Sequence, residues 1–198
     1  MERLRGVFIS ETSSIQVVKT DYSRMSKRAF LATLSALAAG ALISACADGK
    51  GTDDLGFVPE EELSEVSTNS EFANELFDLT NQARRENGIL ALTFDEVLTQ
   101  VARQRSLDMA TNDYFSHTSP EGVTAFTMLG SRNYSYRIVG ENIARNNYPD
   151  DKTAGTAHEG FMNSQSHKAN ILNSGYKFLD IGHARSGDMN YFTQLFVG

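Results

Sequence analysis

The sequence predicts an α+β layered domain over residues 72–198. Three observations predict it. Two amphipathic helical patterns stand first, two aromatic and aliphatic strand patterns joined by a polar turn stand last, and strand and helix units nowhere alternate as a parallel doubly wound sheet requires. At 198 residues with 40% apolar content, the chain has room for one core and extra segments, not for two full domains.

The extra segments come first. Arg24, Lys27 and Arg28 precede an uncharged run from Ala29 to Ala45. Its apolar part has the length of a signal-peptide h-region and falls short of the ~20 residues a spanning helix needs. The run ends Leu42-Ile43-Ser44-Ala45-Cys46, and Cys46 is the only cysteine, which excludes an intramolecular disulfide. This ending resembles the lipobox of bacterial lipoproteins, in which an aliphatic residue and small residues precede a cysteine that is lipidated and becomes the mature N-terminus.

Residues 25–46 are therefore expected to be a lipoprotein signal peptide with Cys46 as the lipidation site. The protein is then exported and lipid-anchored to a bacterial membrane on its extracytoplasmic face. Met25-Ser26-Lys27-Arg28 makes a start of normal form, so residues 1–24 are expected to be an untranslated stretch or a disordered extension. Residues 47–71 carry eight acids against one Lys, with three glycines and Pro59. They bury too little to offset the entropy of ordering and read as a flexible acidic tether. The remainder holds 11 basic against 14 acidic residues and no basic stripe, which argues against a nucleic-acid partner.

In the domain, Phe72, Leu76, Leu79 and Ala83 recur at helical spacing, and Asn87-Gly88 supplies a stop. A second helix is expected to begin near Thr93, its hydroxyl capping and Glu96 closing a capping box, and to run to about Thr111. Phe178–Ala184 and Asn190–Val197 read as strands, with Arg185-Ser186-Gly187-Asp188 as a hairpin connection.

All four histidines lie in this domain. His117 and His167 sit in polar surroundings, Phe115-Ser116-His117-Thr118-Ser119-Pro120 and Ser164-Gln165-Ser166-His167-Lys168-Ala169-Asn170, whereas His158 and His183 have weaker claims. Their separation forms no local ligand motif such as His-Glu-x-x-His. On one unbroken helix Glu159 and His167 would stand about 12 Å apart, so cooperation between them requires a break. Ser164 offers one by capping a new short helix through Ile171, which places His167 in a first turn whose amides favour neutral imidazole.

Three ordered motifs then carry a second resemblance: Tyr114-Phe115-Ser116-His117-Thr118-Ser119-Pro120, Gly140-Glu141-Asn142-Ile143-Ala144 and Ser166-His167-Lys168-Ala169-Asn170-Ile171-Leu172. Together with Tyr191-Phe192-Thr193-Gln194-Leu195-Phe196 they resemble bacterial CAP superfamily (SCP) domains, over about residues 72–198. The resemblance implies an α-β-α sandwich with a small central antiparallel sheet. It also implies a cleft lined by His117, Glu141, Glu159 and His167, with these four as ligands of zinc or another divalent metal. Departures are Phe161 where the family often has Trp, Gln165-Ser166 where it often has Pro-Gly, and His183 at a strand position usually small or aliphatic.

The expected function is recognition of an envelope or extracellular ligand by a membrane-tethered CAP domain. In a hydrolytic alternative, Glu141 or Glu159 is the catalytic general base for a water held by His117 and His167. A further alternative is an apolar-ligand carrier with a groove lined by Phe115, Phe126, Tyr134, Tyr136 and Tyr148. Asn142, Asn163 and Asn170 read as structural amides.

Overall fold

The computed structural model describes residues 6–10, 14–17, 66–68 and 70–198. The signal-peptide and lipidation expectations, Cys46 included, and most of the tether lie outside the described residues. In chain order the elements are β1 (Val7–Ile9), β2 (Ser14–Val17), α1 (Ser70–Glu86), α2 (Glu96–Thr111) and α3 (Ala125–Ser131). β3 (Ile138–Asn146), α4 (Asp150–Asn163), α5 (Gln165–Ile171), β4 (Phe178–Ser186) and β5 (Met189–Val197) follow.

The fold is α+β. Its antiparallel sheet runs β1-β3-β5-β4, with β2 also paired to β3, so β1 and β2 share one outer edge. Strand alternation directs Phe192 and Phe196 to one face, where α1, α4 and α5 supply Leu76, Ala157, Phe161 and Ile171. Leu195 and Val197 point to the other face, against Leu98, Val101 and Ala102 of α2 and Leu129 of α3. Two helical layers thus cover both faces of the sheet.

α1 begins at Ser70 rather than Phe72, and Ser67 pairs with Arg185 through two backbone hydrogen bonds of 3.0 and 2.8 Å. Ordered structure thereby reaches into the expected tether. α2 corrects the cap expected at Thr93: Asp95 is the N-cap, its carboxylate accepting from the amides of Val97 and Leu98, while Thr93 bridges to Phe178. A carboxylate at this position also faces the positive end of the helix dipole, which a threonine hydroxyl does less effectively. β4 and β5 form the expected hairpin, tightened to Gly187-Asp188, with Gly187 at φ +56°.

Two glycines mark close approaches. A Cβ on Gly182 would lie 1.9 Å from the backbone oxygen of Ala102, so α2 rests directly on β4. A Cβ on Gly140 would lie 2.3 Å from the Tyr176 hydroxyl, which explains the glycine before Glu141.

Residues 6–10 and 14–17, where the sequence suggests an untranslated or disordered extension, line the β3 edge. Ile9 pairs with Ala144 and Ser14 with Glu141.

Candidate functional site

β3 carries Glu141 and Asn142 on opposite faces at the edge lined by residues 6–10 and 14–17, and the site is built around that edge. Glu141 is 1% exposed. Its Oε1 accepts from Arg105 Nε at 3.2 Å, and its Oε2 lies 2.7 Å from His117 Nδ1. Without the family resemblance, a strand carboxylate here reads as solvent-exposed; tertiary packing makes it the buried partner of two bases.

Sequence reasoning missed Arg105. It lies fully buried on the apolar stripe of α2, between Leu98, Val101 and Ala102 on one side and Met109 on the other. Its Nη1 donates to the Tyr114 hydroxyl and its Nη2 to the Ser116 carbonyl, so one guanidinium holds both Glu141 and the loop bearing His117. A charged residue at core spacing in a helix was the available signal, because such a charge is retained inside only when paired.

His167 arrives from the opposite face. α4 ends at Asn163 and α5 starts at Gln165, which supplies the break the sequence requires. Ser164 stands at the N-cap, but its hydroxyl lies 2.7 Å from His167 Nδ1 and caps no amide. The imidazole stacks on Phe161 at 5.5 Å between centroids. Burial first, and the neighbouring His117 second, push its pKa down to about 4. Neutrality therefore follows from desolvation more than from the first-turn amides.

Asn142 anchors α5 to the sheet. Its amide donates to the His167 carbonyl at 3.2 Å and to Gln194 at 2.9 Å, while it accepts from Asn170 at 2.9 Å. Gln194 continues to Thr80 of α1, and the Tyr176 hydroxyl donates to Asn170. From the other end, Arg84 Nη1 donates to the Ile171 carbonyl at 2.7 Å. Asn142 and Asn170 are thus structural amides, as expected, and what they position is a histidine.

The two imidazoles converge. Ser10 Oγ lies 2.9 Å from His117 Nε2 and 3.0 Å from His167 Nε2. One proton arrangement satisfies the whole row: His117 Nδ1–H donates to Glu141, the Ser10 hydroxyl donates to His117 Nε2, His167 Nε2–H donates to Ser10, and the Ser164 hydroxyl donates to His167 Nδ1. Rotating the Ser164 hydroxyl to accept instead moves the His167 proton to Nδ1. Both Nε2 lone pairs then face the same point.

Of the four expected site residues, His117, Glu141 and His167 come together. Glu159 is exposed on α4 and belongs to none of these hydrogen bonds. Among the described residues no three His, Cys, Asp or Glu side chains form a ligand group. The donors that fit a divalent cation are the two Nε2 atoms, with Glu141 holding the far side of His117 as an orienting carboxylate.

His183 is neither exposed nor in this site. It is 2% exposed, packs edge-on against Phe72 and against Phe192, and lies 3.0 Å from Asn190 through Nε2. Phe126, Tyr134 and Tyr136 pack on the α2–α3 core, whereas Phe115 packs beside Met109 and Tyr191, so these aromatics serve separate clusters.

The model of the cysteine-rich secretory protein (CAP) family matches residues 77–196. Two Bacillus subtilis (strain 168) proteins are each 36% identical to this chain. The uncharacterized protein YkwD matches over 135 residues, 68% of this chain and 50% of its own length. The uncharacterized membrane protein YlbC matches over 140 residues, 71% and 38% respectively. The chain thus spans half or less of the length of these relatives. Among solved structures, an extracellular SCP-domain protein from Bacillus anthracis is 31% identical with a TM-score of 0.55, covering 65% of this chain and 40% of its own. An outer surface protein from Borrelia burgdorferi shares the fold, with a TM-score of 0.60 at 19% identity, over 68% of this chain and 98% of its own.

Proposed function

The chain belongs to the cysteine-rich secretory protein (CAP) family, and from that premise we propose that it is an exported recognition protein. In this reading it is anchored through lipidated Cys46 to the extracytoplasmic face of a bacterial membrane and binds an envelope or extracellular ligand in its two-histidine cleft. The observation that carries the reading is the convergence of His117 Nε2 and His167 Nε2 on one hydroxyl. Export draws support from the likeness to an extracellular SCP-domain protein, and membrane association from the relative named a membrane protein.

Zinc or another divalent cation is part of this proposal. His117 and His167 would hold it through Nε2, and it would supply Lewis acidity toward a bound oxygen. Two protein nitrogens are fewer than the three or four of a self-sufficient zinc site, so the remaining ligands would have to come from the bound ligand. Recognition is favoured over hydrolysis because both oxygens of Glu141 are engaged, by Arg105 and by His117, and Glu159 is exposed. Neither carboxylate is poised as a general base beside the two nitrogens.

Calorimetric zinc titration of the full chain tests the cleft, with Ser10→Ala to remove the competing hydroxyl and a His117→Ala, His167→Ala double variant. Stoichiometric binding that Ser10→Ala keeps and the double variant loses supports it; no binding by folded Ser10→Ala protein overturns the cation. Mass spectrometry of the membrane fraction, wild type against Cys46→Ser, tests the anchor.

A further inference from the structure

Residues 6–10 lie in the groove between the β3 edge and helix α4 as an extended peptide would. Val7, Phe8 and Ile9 pair antiparallel with Asn146, Arg145 and Ala144, and the Gly6 amide donates to Asn147 Oδ1 at 3.0 Å. Alternation then sorts the side chains. Val7 and Ile9 turn toward α4 at Gly160, where an added Cβ would lie 3.0 Å from Val7 Cγ1 and 3.3 Å from Ile9 Cγ2. Ile9 also packs on the α1–α4 core.

Phe8, 49% exposed, turns the other way and covers the Arg145 guanidinium at 5.3 Å, which in turn lies 5.1 Å over Phe115. Arg145 Nε is buried with no hydrogen-bond partner among the described residues, so the two rings are its compensation on that side. Ser10 follows, between the two histidines.

We propose that this groove is a docking site for an extended peptide of a separate protein. The peptide carries two aliphatic residues flanking an aromatic one, followed by a serine or threonine whose hydroxyl is read by both Nε2 atoms. Residues 6–10 of this chain are its built-in occupant. Main-chain pairing to the β3 edge supplies affinity, and the Gly160 notch, the Arg145 face and the paired imidazoles supply selectivity. The inference deepens the recognition reading by naming a ligand class. It rests on that reading for one step: processing at Cys46 separates residues 6–17 from the domain and opens the groove.

The test uses the full chain and a fluorescent peptide of residues 5–12. Val7→Asp, Ile9→Asp protein, whose own segment is expelled by burying two carboxylates, binds the peptide at least tenfold more tightly than wild type. Adding Gly160→Leu abolishes that binding, and replacing the serine of the peptide with alanine weakens it by about threefold to tenfold, the worth of one net hydrogen bond. Equal binding by wild type and the Asp variant, no binding by the Asp variant with its circular dichroism and melt intact, or indifference to Gly160→Leu overturns the proposal. Light scattering reads the rival occupant: a wild-type dimer that the Asp variant makes monomeric assigns the groove to the same segment of a second copy and overturns it as well. Zinc titration of the same proteins without the peptide, whose serine hydroxyl competes for the same two Nε2 atoms, separates this proposal from the cation, since peptide binding can fail while zinc binding stands and the reverse.

Discussion

His117 Nδ1 lies 2.7 Å from Glu141 Oε2, and this one contact decides which nitrogen of His117 faces the cleft as a lone pair. A buried carboxylate accepts only, so Nδ1 must carry the proton and Nε2 is left to accept from Ser10 or to bind a cation.

Glu141→Gln follows from that contact. A glutamine amide can accept from Arg105 and donate to His117 Nδ1, which moves the imidazole proton to Nε2 and turns a lone pair into a donor. Zinc affinity is expected to fall about 10- to 100-fold with a small change in melting temperature. Glu141→Ala instead strands Arg105, which is fully buried, and is expected to cost about 3–5 kcal/mol in chemical denaturation. If both variants unfold alike and bind zinc alike, the tautomer argument is wrong.

Gly182 and Gly155 make a matched pair. A Cβ at Gly182 meets the α2 backbone at 1.9 Å, whereas one at Gly155 meets nothing within 4 Å. Gly182→Ala should destabilise by about 3 kcal/mol or more through overpacking. Gly155→Ala, inside α4, should stabilise by about 0.5–1 kcal/mol. Urea midpoints of the two proteins read the difference, and a harmless Gly182→Ala would contradict the close approach of α2 to β4.

Acid should weaken the fold through its histidines. Burial holds His158, His167 and His183 below their ordinary value of 6.5, His167 down to about 4. The unfolded chain therefore takes up protons first as pH falls. The stability these groups contribute is complete above pH 6.5 and is lost progressively toward pH 4. Asp180, pushed up to about 6 by burial against an ordinary 3.8, works in the opposite sense between those values. Calorimetric melts between pH 7 and 4.5 should show a falling melting temperature, flattened in His183→Leu and steepened in Asp180→Asn. Superimposable profiles for all three proteins would remove the histidines as the cause.

Local signals were enough for the first two helices, the closing hairpin and the break after Asn163, whereas the roles of His117, Glu141 and His167 were legible only through the family resemblance, and β1, β2 and α3 were not foreseen. Periodicity, caps and turns act over a few residues, and a peptide segment carries that information wherever it lies. The cap of α2 shows the limit even there, since Thr93 and Asp95 both suit an N-cap by residue type, and the parallel bridge from Thr93 to Phe178 takes Thr93 out of contention.

The site itself depended on long-range register. His117 meets Glu141 across 24 residues and Ser10 meets His167 across 157. Nothing in the spacing foretold that Arg105 would claim one oxygen of Glu141, that Glu159 would stay in solvent, or that residues 6–10 would pair along β3. The face on which Glu141 meets Arg105 follows from strand register, and a one-residue slip of β3 would turn Glu141 to the other face of the sheet, whereas Glu159 stays in solvent because of the face of α4 it occupies. Sequence determines the chemical inventory and its local geometry, and the sheet decides which members of that inventory touch, because burial and pairing are properties of the assembled layers.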